Sequence, residues 1–153
     1  MLTEQRPTRI GVVKPTLTST SLDDLKTLLP PNIELVPEYM GFQYRSMDEF
    51  HKAMPIYDEK VRSLAAKGVD MIHPEGAPPF MVHGRTEEIR RINEWEARYG
   101  LPVFTTGTTQ VAAMQAMRVV RFAGFTPFAG ELAEAFRRYF IDAGFDVLAM
   151  GKA

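Results

Sequence analysis

Short apolar runs alternate along this chain with stretches whose apolar positions recur every three or four residues. The first run, Arg9–Lys14, has an unbroken apolar centre at Ile10–Val13. Such a run suits a strand covered on both faces. Ser21-Leu22-Asp23-Asp24 matches a helix-capping pattern and predicts a short helix that stops before Pro30-Pro31-Asn32. Ile33–Pro37 reads as a second strand. Ser46-Met47-Asp48-Glu49 is a capping box. Behind it Met47, Phe50, Met54, Tyr57, Val61 and Leu64 mark one buried helix face. Pro55 interrupts that face. It lacks an N–H and crowds the carbonyl of His51, so a kink or a restart is expected. The intervening Tyr39–Arg45 reads as a loop with large side chains, Tyr39, Met40, Phe42 and Tyr44, placed to line a pocket or an interface.

Further along, Val69–His73 predicts a third strand and Pro74–Gly84 a Pro/Gly-rich loop. Thr86 is placed to cap the next helix, with Glu87 and Glu88 favourable against its dipole. That helix is expected to end at Gly100. Pro102–Thr105 reads as a fourth strand, Thr105–Thr109 as a polar turn and Val111–Met117 as a helix. A strand at Val119–Phe125, a helix at Glu131–Ala143 and a strand at Phe145–Met150 follow.

Strands alternating with helices imply parallel βαβ units. The expectation for residues 1–118 is an α/β domain with a doubly wound parallel sheet of flavodoxin-like order. Phe122-Ala123-Gly124-Phe125-Thr126-Pro127-Phe128 then repeats the plan of Ile10-Gly11-Val12-Val13-Lys14-Pro15-Thr16. Residues 119–153 are therefore expected to be the β-α-β start of a second, incomplete α/β domain. Its last strand would leave an open apolar edge, which predicts self-association.

Composition narrows the chemistry. The formal charge of −1 carries no long run of either sign, so nucleic acid and anionic membranes are not expected partners. No stretch is long and apolar enough to span a bilayer, and Met1–Arg9 lacks the apolar core of a signal peptide. A cytoplasmic location is the expectation. The absence of cysteine excludes disulfides, thiolate metal sites and a thiol nucleophile or base in these residues. His51, His73 and His83 lack the spacing of a zinc-protease motif, and no metal is expected. Gly76, Gly84 and Gly107 form no phosphate-binding fingerprint, so a dinucleotide is not expected either. A Gly-x-Ser-x-Gly elbow is absent.

In parallel α/β sheets, ligands bind beyond the carboxyl ends of the strands. Lys14, His73 and Glu75 fall there and would form an acid–base set if they share one cleft. The competing reading is bland: Lys14 paired with a surface carboxylate, His73 satisfied at a strand end, Glu75 solvated.

Several segments taken in order resemble the aspartate/glutamate racemase superfamily, in its arylmalonate decarboxylase and maleate isomerase branch. They are Ile10-Gly11-Val12-Val13-Lys14-Pro15, Lys67-Gly68-Val69-Asp70-Met71-Ile72 with the loop Gly76–Gly84, and Gly100-Leu101-Pro102-Val103-Phe104-Thr105-Thr106. The helix around Ala112–Met117, Thr126-Pro127-Phe128 and Phe140-Ile141-Asp142-Ala143-Gly144-Phe145 complete the set. The resemblance implies two similar α/β domains with the site between them. It also implies enediolate or carbanion chemistry on a small carboxylic acid, without metal or organic cofactor. Pro15, Thr16, Gly76, Ala77, Thr105, Thr108 and Phe128 then fall at substrate-binding positions. This chain departs from the branch at two of them and at Pro78. Ala77 and Pro78 stand where it has two hydroxyl residues, and Phe128 stands where it has a tyrosine. The branch's second-domain cysteine has no counterpart. Three readings stay open: a decarboxylase, racemase or isomerase, a non-catalytic carboxylate-binding relative, or part of a longer enzyme.

Overall fold

The computed structural model describes residues 6–18, 20–43 and 46–152. Tyr44 and Arg45 of the expected loop lie outside the described residues. Strand β1 (Thr8–Lys14) lies between β2 (Ile33–Tyr39) and β3 (Met71–Pro74), parallel to both. Residues Val12 to Lys14 are buried. The expected fourth strand is reduced to a single parallel bridge, Ile72 to Val103. Pro102 lacks an N–H, and Thr105 turns at once into a helix cap, so the segment is too short to extend the ladder. A separate two-stranded parallel sheet joins β4 (Arg121–Thr126) to β5 (Asp146–Lys152).

Helix α1 (Ser21–Leu28) starts one residue before its expected cap could act. Thr20 holds the N-cap position without a side-chain bond, and Ser21 lies inside the helix. The restart expected near Pro55 is present. Helix α2 (Met47–His51), closed by the Ser46–Glu49 capping box, gives way at Lys52 to α3 (Ala53–Ala66). Pro55 thereby falls in the first turn of α3, where its missing N–H costs no bond. The predicted face is buried at Phe50, Met54, Tyr57, Val61 and Leu64, and α3 packs across all three strands of the first sheet.

The stretch Pro74–Gly84, expected as a loop, holds helix α4 (Ala77–His83). Pro78 and Pro79 read as breakers, yet both sit in the first turn, which has no amide partners to lose. Thr86 does not cap α5 (Arg85–Tyr99). Gly84 does so in a positive-φ conformation, and the helix closes at left-handed Gly100 as expected. Thr105–Thr109, expected as a turn, begins α6 (Thr106–Ala116), because Thr105 and Thr108 form a capping box. Helix α7 (Gly130–Asp142) buries Leu132, Ala135, Tyr139 and Phe140. No helix among the described residues is long and apolar enough to cross a membrane.

Two apolar clusters result. One centres on Tyr57, Leu64 and Trp95 under the first sheet, the other on Tyr139, Phe140 and Val147 under the second. Helix α4 bridges them, with Phe80 in the first cluster and Met81 in the second. A buried polar knot reinforces the join. Glu88 of α5, 1% exposed, accepts hydrogen bonds from the Thr105 hydroxyl at 2.5 Å and from the Tyr139 hydroxyl. Arg85 donates to the Tyr139 oxygen at 3.3 Å. Gly107 passes so close that a Cβ there would lie 2.5 Å from that oxygen.

Burial raises the Glu88 carboxyl above its ordinary 4.5, against the opposing pull of Thr105, Tyr139 and Arg85. A raised carboxyl binds its proton more tightly in the folded state. Its contribution to stability is therefore full below pH 4.5 and is lost as pH rises through the folded value. Urea unfolding across pH should show the stability of Glu88→Gln gaining on the parent as pH rises from 4.5. A difference that stays flat with pH would contradict an ionisable knot.

Candidate functional site

The carboxyl ends of β1 and β3 lie side by side because the two strands are parallel neighbours in register, Val12 against His73 and Val13 against Pro74. Lys14 ends β1, and Glu75 follows β3, its N–H donating to the Val13 carbonyl at 2.9 Å. The Lys14 side chain is almost wholly enclosed, the residue being 5% exposed. Its Nζ donates to Glu75 Oε1 and, at 3.1 Å, to Ser21 Oγ at the start of α1. The Glu75 side chain keeps 32% of its surface in solvent. The pair is thus lopsided, with a buried cation and a counter-ion that reaches water.

Backbone around the pair is tightly held. Met40 and Phe42 donate to the carbonyls of Lys14 and Pro15 at 2.9 and 2.8 Å. The buried Tyr57 hydroxyl donates to the Glu75 carbonyl at 2.6 Å, and burial, then the Glu75 charge, raise its pKa so that it stays protonated. Gly76 has φ +112, and a Cβ there would lie 2.6 Å from Pro15 Cγ and 2.9 Å from the Tyr57 oxygen. Glycine is required both by the dihedral and by the space. The Gly76 N–H donates to Thr106 Oγ1 at 3.2 Å, tying the corner to α6.

Two cavities open on either side of the Lys14–Glu75 pair. One, of about 200 Å³, is walled by Pro15, Thr16, Phe42, Phe50 and Phe128 and by Pro78 and Pro79 of α4. Its aromatic rings pack edge to face, Phe42 on Phe50 at 6.2 Å and Phe50 on Phe128 at 6.5 Å. The other, of about 360 Å³, is more polar and is lined by Lys14, Ser21, His73, Glu75 and Thr106 with two leucines of α1. His73 stacks on Phe104 at 4.7 Å, and its Nδ1 lies 2.9 Å from the Phe104 carbonyl. A carbonyl only accepts, which assigns the proton to Nδ1 and leaves Nε2 as the acceptor. Burial lowers the His73 pKa below its ordinary 6.5, outweighing the Phe104 carbonyl and Glu75, so the ring is mostly neutral at pH 7.

Of the residues singled out from sequence, Lys14, His73 and Glu75 share one cavity, and Lys14, Glu75, Pro15, Thr16 and Phe128 share the other. Gly76 and Ala77 line neither; Gly76 shapes the corner behind Glu75. Thr105 and Thr108 stand apart, engaged in capping α6 and, for Thr105, in holding Glu88. Sequence reasoning placed Phe50 in the core and passed over Pro78 and Pro79 as walls. A helix at Ala77–His83 is what brings those prolines to the cavity, and nothing in their spacing announces it. Among the described residues, no three His, Asp or Glu side chains gather as a metal-holding group.

No protein-family profile matches the chain, and no curated protein does. Solved structures do match. Maleate isomerase from Pseudomonas putida S16 superposes with a TM-score of 0.78 at 20% identity, over 94% of this chain and 63% of its own. For Nocardia farcinica maleate cis-trans isomerase the TM-score is 0.80 at 22% identity, over 94% and 62%. For arylmalonate decarboxylase it is 0.78 at 17% identity, over 95% and 64%. The chain spans less than two thirds of each of these proteins. At such identities the likeness establishes the fold: α/β architecture with parallel strands, shared with these maleate isomerases and arylmalonate decarboxylase.

Proposed function

We propose that this chain is an isomerase- or decarboxylase-like protein that binds a small carboxylic acid on Lys14 and handles its α-carbon as an enediolate. The observation that carries this reading is the lopsided ion pair. A nearly buried ammonium is costly unless compensated, and its partner side chain keeps about a third of its surface in water. An entering carboxylate takes Glu75's place on Lys14, and the displaced Glu75 becomes a base beside the bound acid. The neighbouring cavity, apolar and aromatic, suits an aryl or branched alkyl substituent. Neutral His73 offers a second proton acceptor in the adjoining space. On this reading residues 1–118 are the first α/β domain, doubly wound in flavodoxin-like order, and 119–153 the opening β-α-β of a second, with no cofactor in the reaction.

Thiol chemistry is not available to these residues. The Nocardia farcinica isomerase has been captured with a covalently bound succinylcysteine intermediate, whereas the 153 residues here contain no cysteine. Proton transfer by oxygen and nitrogen bases is what remains. A second reading, a carboxylate-binding relative without turnover, is favoured by one observation. Pro78 and Pro79 carry no N–H, and Phe128 carries no hydroxyl, so these three wall positions of the apolar cavity offer no oxyanion donor. Each such donor is typically worth about 3 kcal/mol to the transition state.

Phenylacetate tests both readings. Isothermal titration should show binding to the parent and at least about tenfold weaker binding to Lys14→Met, equal to ~1.4 kcal/mol. Unchanged affinity would remove Lys14 from the site. In deuterated water, NMR should show α-proton exchange catalysed by the parent and abolished in Glu75→Gln or His73→Ala. Tight binding with no exchange would select the non-catalytic reading.

A further inference from the structure

In the polar cavity beside Lys14, two side chains are each half committed to the backbone. His73 Nδ1 lies 2.9 Å from the Phe104 carbonyl, so that nitrogen carries the proton. The stack on Phe104, with rings 11° from parallel, holds the imidazole in this orientation. Its Nε2 then presents a lone pair. Among the described residues Nε2 has no hydrogen-bond partner, and unlike His83 Nε2 it is not sealed from solvent. Burial keeps the ring mostly neutral at pH 7, so the lone pair is available. Thr106 is the converse. Its Oγ1 accepts the Gly76 N–H at 3.2 Å, which leaves its hydroxyl hydrogen to give. The cavity therefore offers one uncharged acceptor and one uncharged donor in the space that Lys14 lines.

We infer that His73 and Thr106 together receive a hydroxyl on the α-carbon of the bound acid, which makes the ligand an aryl 2-hydroxy acid. The inference rests on the reading that the acid's carboxylate binds Lys14. A hydroxyl donates one hydrogen and accepts another, which matches His73 Nε2 and Thr106 Oγ1 in turn. An ionised carboxylate in the same place has no hydrogen for Nε2. An ammonium group has no lone pair for Thr106, and it sets a second cation beside Lys14. A bare methylene leaves both side chains unpaired. Lys14 lines both cavities, so a carboxylate held on it puts the α-carbon at their junction. The aryl ring then enters the aromatic cavity and the hydroxyl the polar one. Three of the four bonds of the α-carbon are thereby assigned, and only one hand of the acid fits.

Isothermal titration with phenylacetate, the two mandelate enantiomers and phenylglycine tests this. One mandelate enantiomer should bind the parent at least about tenfold more tightly than either phenylacetate or its own mirror image. Thr106→Val and His73→Phe should each cut that preference over phenylacetate at least about fivefold. Thr106→Ser, which keeps the hydroxyl, should retain it. Phenylacetate that binds through Lys14 while neither mandelate binds more tightly would overturn the hydroxyl assignment and leave the carboxylate site standing. Phenylacetate and mandelate affinities that both survive Lys14→Met would overturn the carboxylate site, and this inference with it. Equal affinity for the two enantiomers, or phenylglycine bound as tightly as the favoured mandelate, would also contradict it. The enantiomer comparison uses the parent protein alone, so it decides the matter should a variant fail to fold.

Discussion

A buried cation at the end of a central parallel strand is the constraint around which this molecule is arranged. Lys14 is the last residue of β1, flanked on both sides by strands that end at the same level. Its methylene stem is packed away, and its ammonium group needs partners in a place where water is scarce. The first turn of α1 supplies Ser21, and the β3–α4 connection supplies Glu75. Helix α1 and the residues that follow β1 and β3 also wall the two cavities.

The corner that carries Glu75 is fixed by features that leave little slack. Gly76 has no room for a side chain between Pro15 and Tyr57. The Tyr57 hydroxyl holds the Glu75 carbonyl, and Thr106 holds the Gly76 N–H. Helix α4 then places Pro78 and Pro79, which have no N–H, in its first turn, and the two prolines form an apolar wall of the cavity. Lys14 and Glu75 are the charged side chains that line both cavities. The knot of Glu88, Thr105 and Tyr139 lies outside the cavities, but it anchors α7 beneath the loop that carries Phe128.

The strands and the long amphipathic helix were legible because their signals are periodic. Ile10–Val13 and the Phe50-to-Leu64 stripe state which face is buried. Lys14, His73 and Glu75 were legible by topology, since parallel strands send their ends to one side. What the sequence concealed was set by context. Prolines at 78 and 79 break a helix interior but suit a first turn, and one sequence does not say where the turn falls. Thr105 looks like a ligand-binding hydroxyl until Thr108 and Glu88 are seen to occupy it. Glu88 reads as a dipole partner beside Glu87, although it lies four residues before Ile92 and seven before Trp95. That places it on the buried stripe.

The central claim is that Lys14 receives the carboxylate of a small acid. The most direct measurement is a crystal structure of the chain grown with phenylacetate. The expected result is a carboxylate oxygen within hydrogen-bonding reach of Lys14 Nζ, the phenyl ring among Phe42, Phe50 and Phe128, and Glu75 turned away. Phenylacetate bound elsewhere with the Lys14–Glu75 pair intact would contradict it.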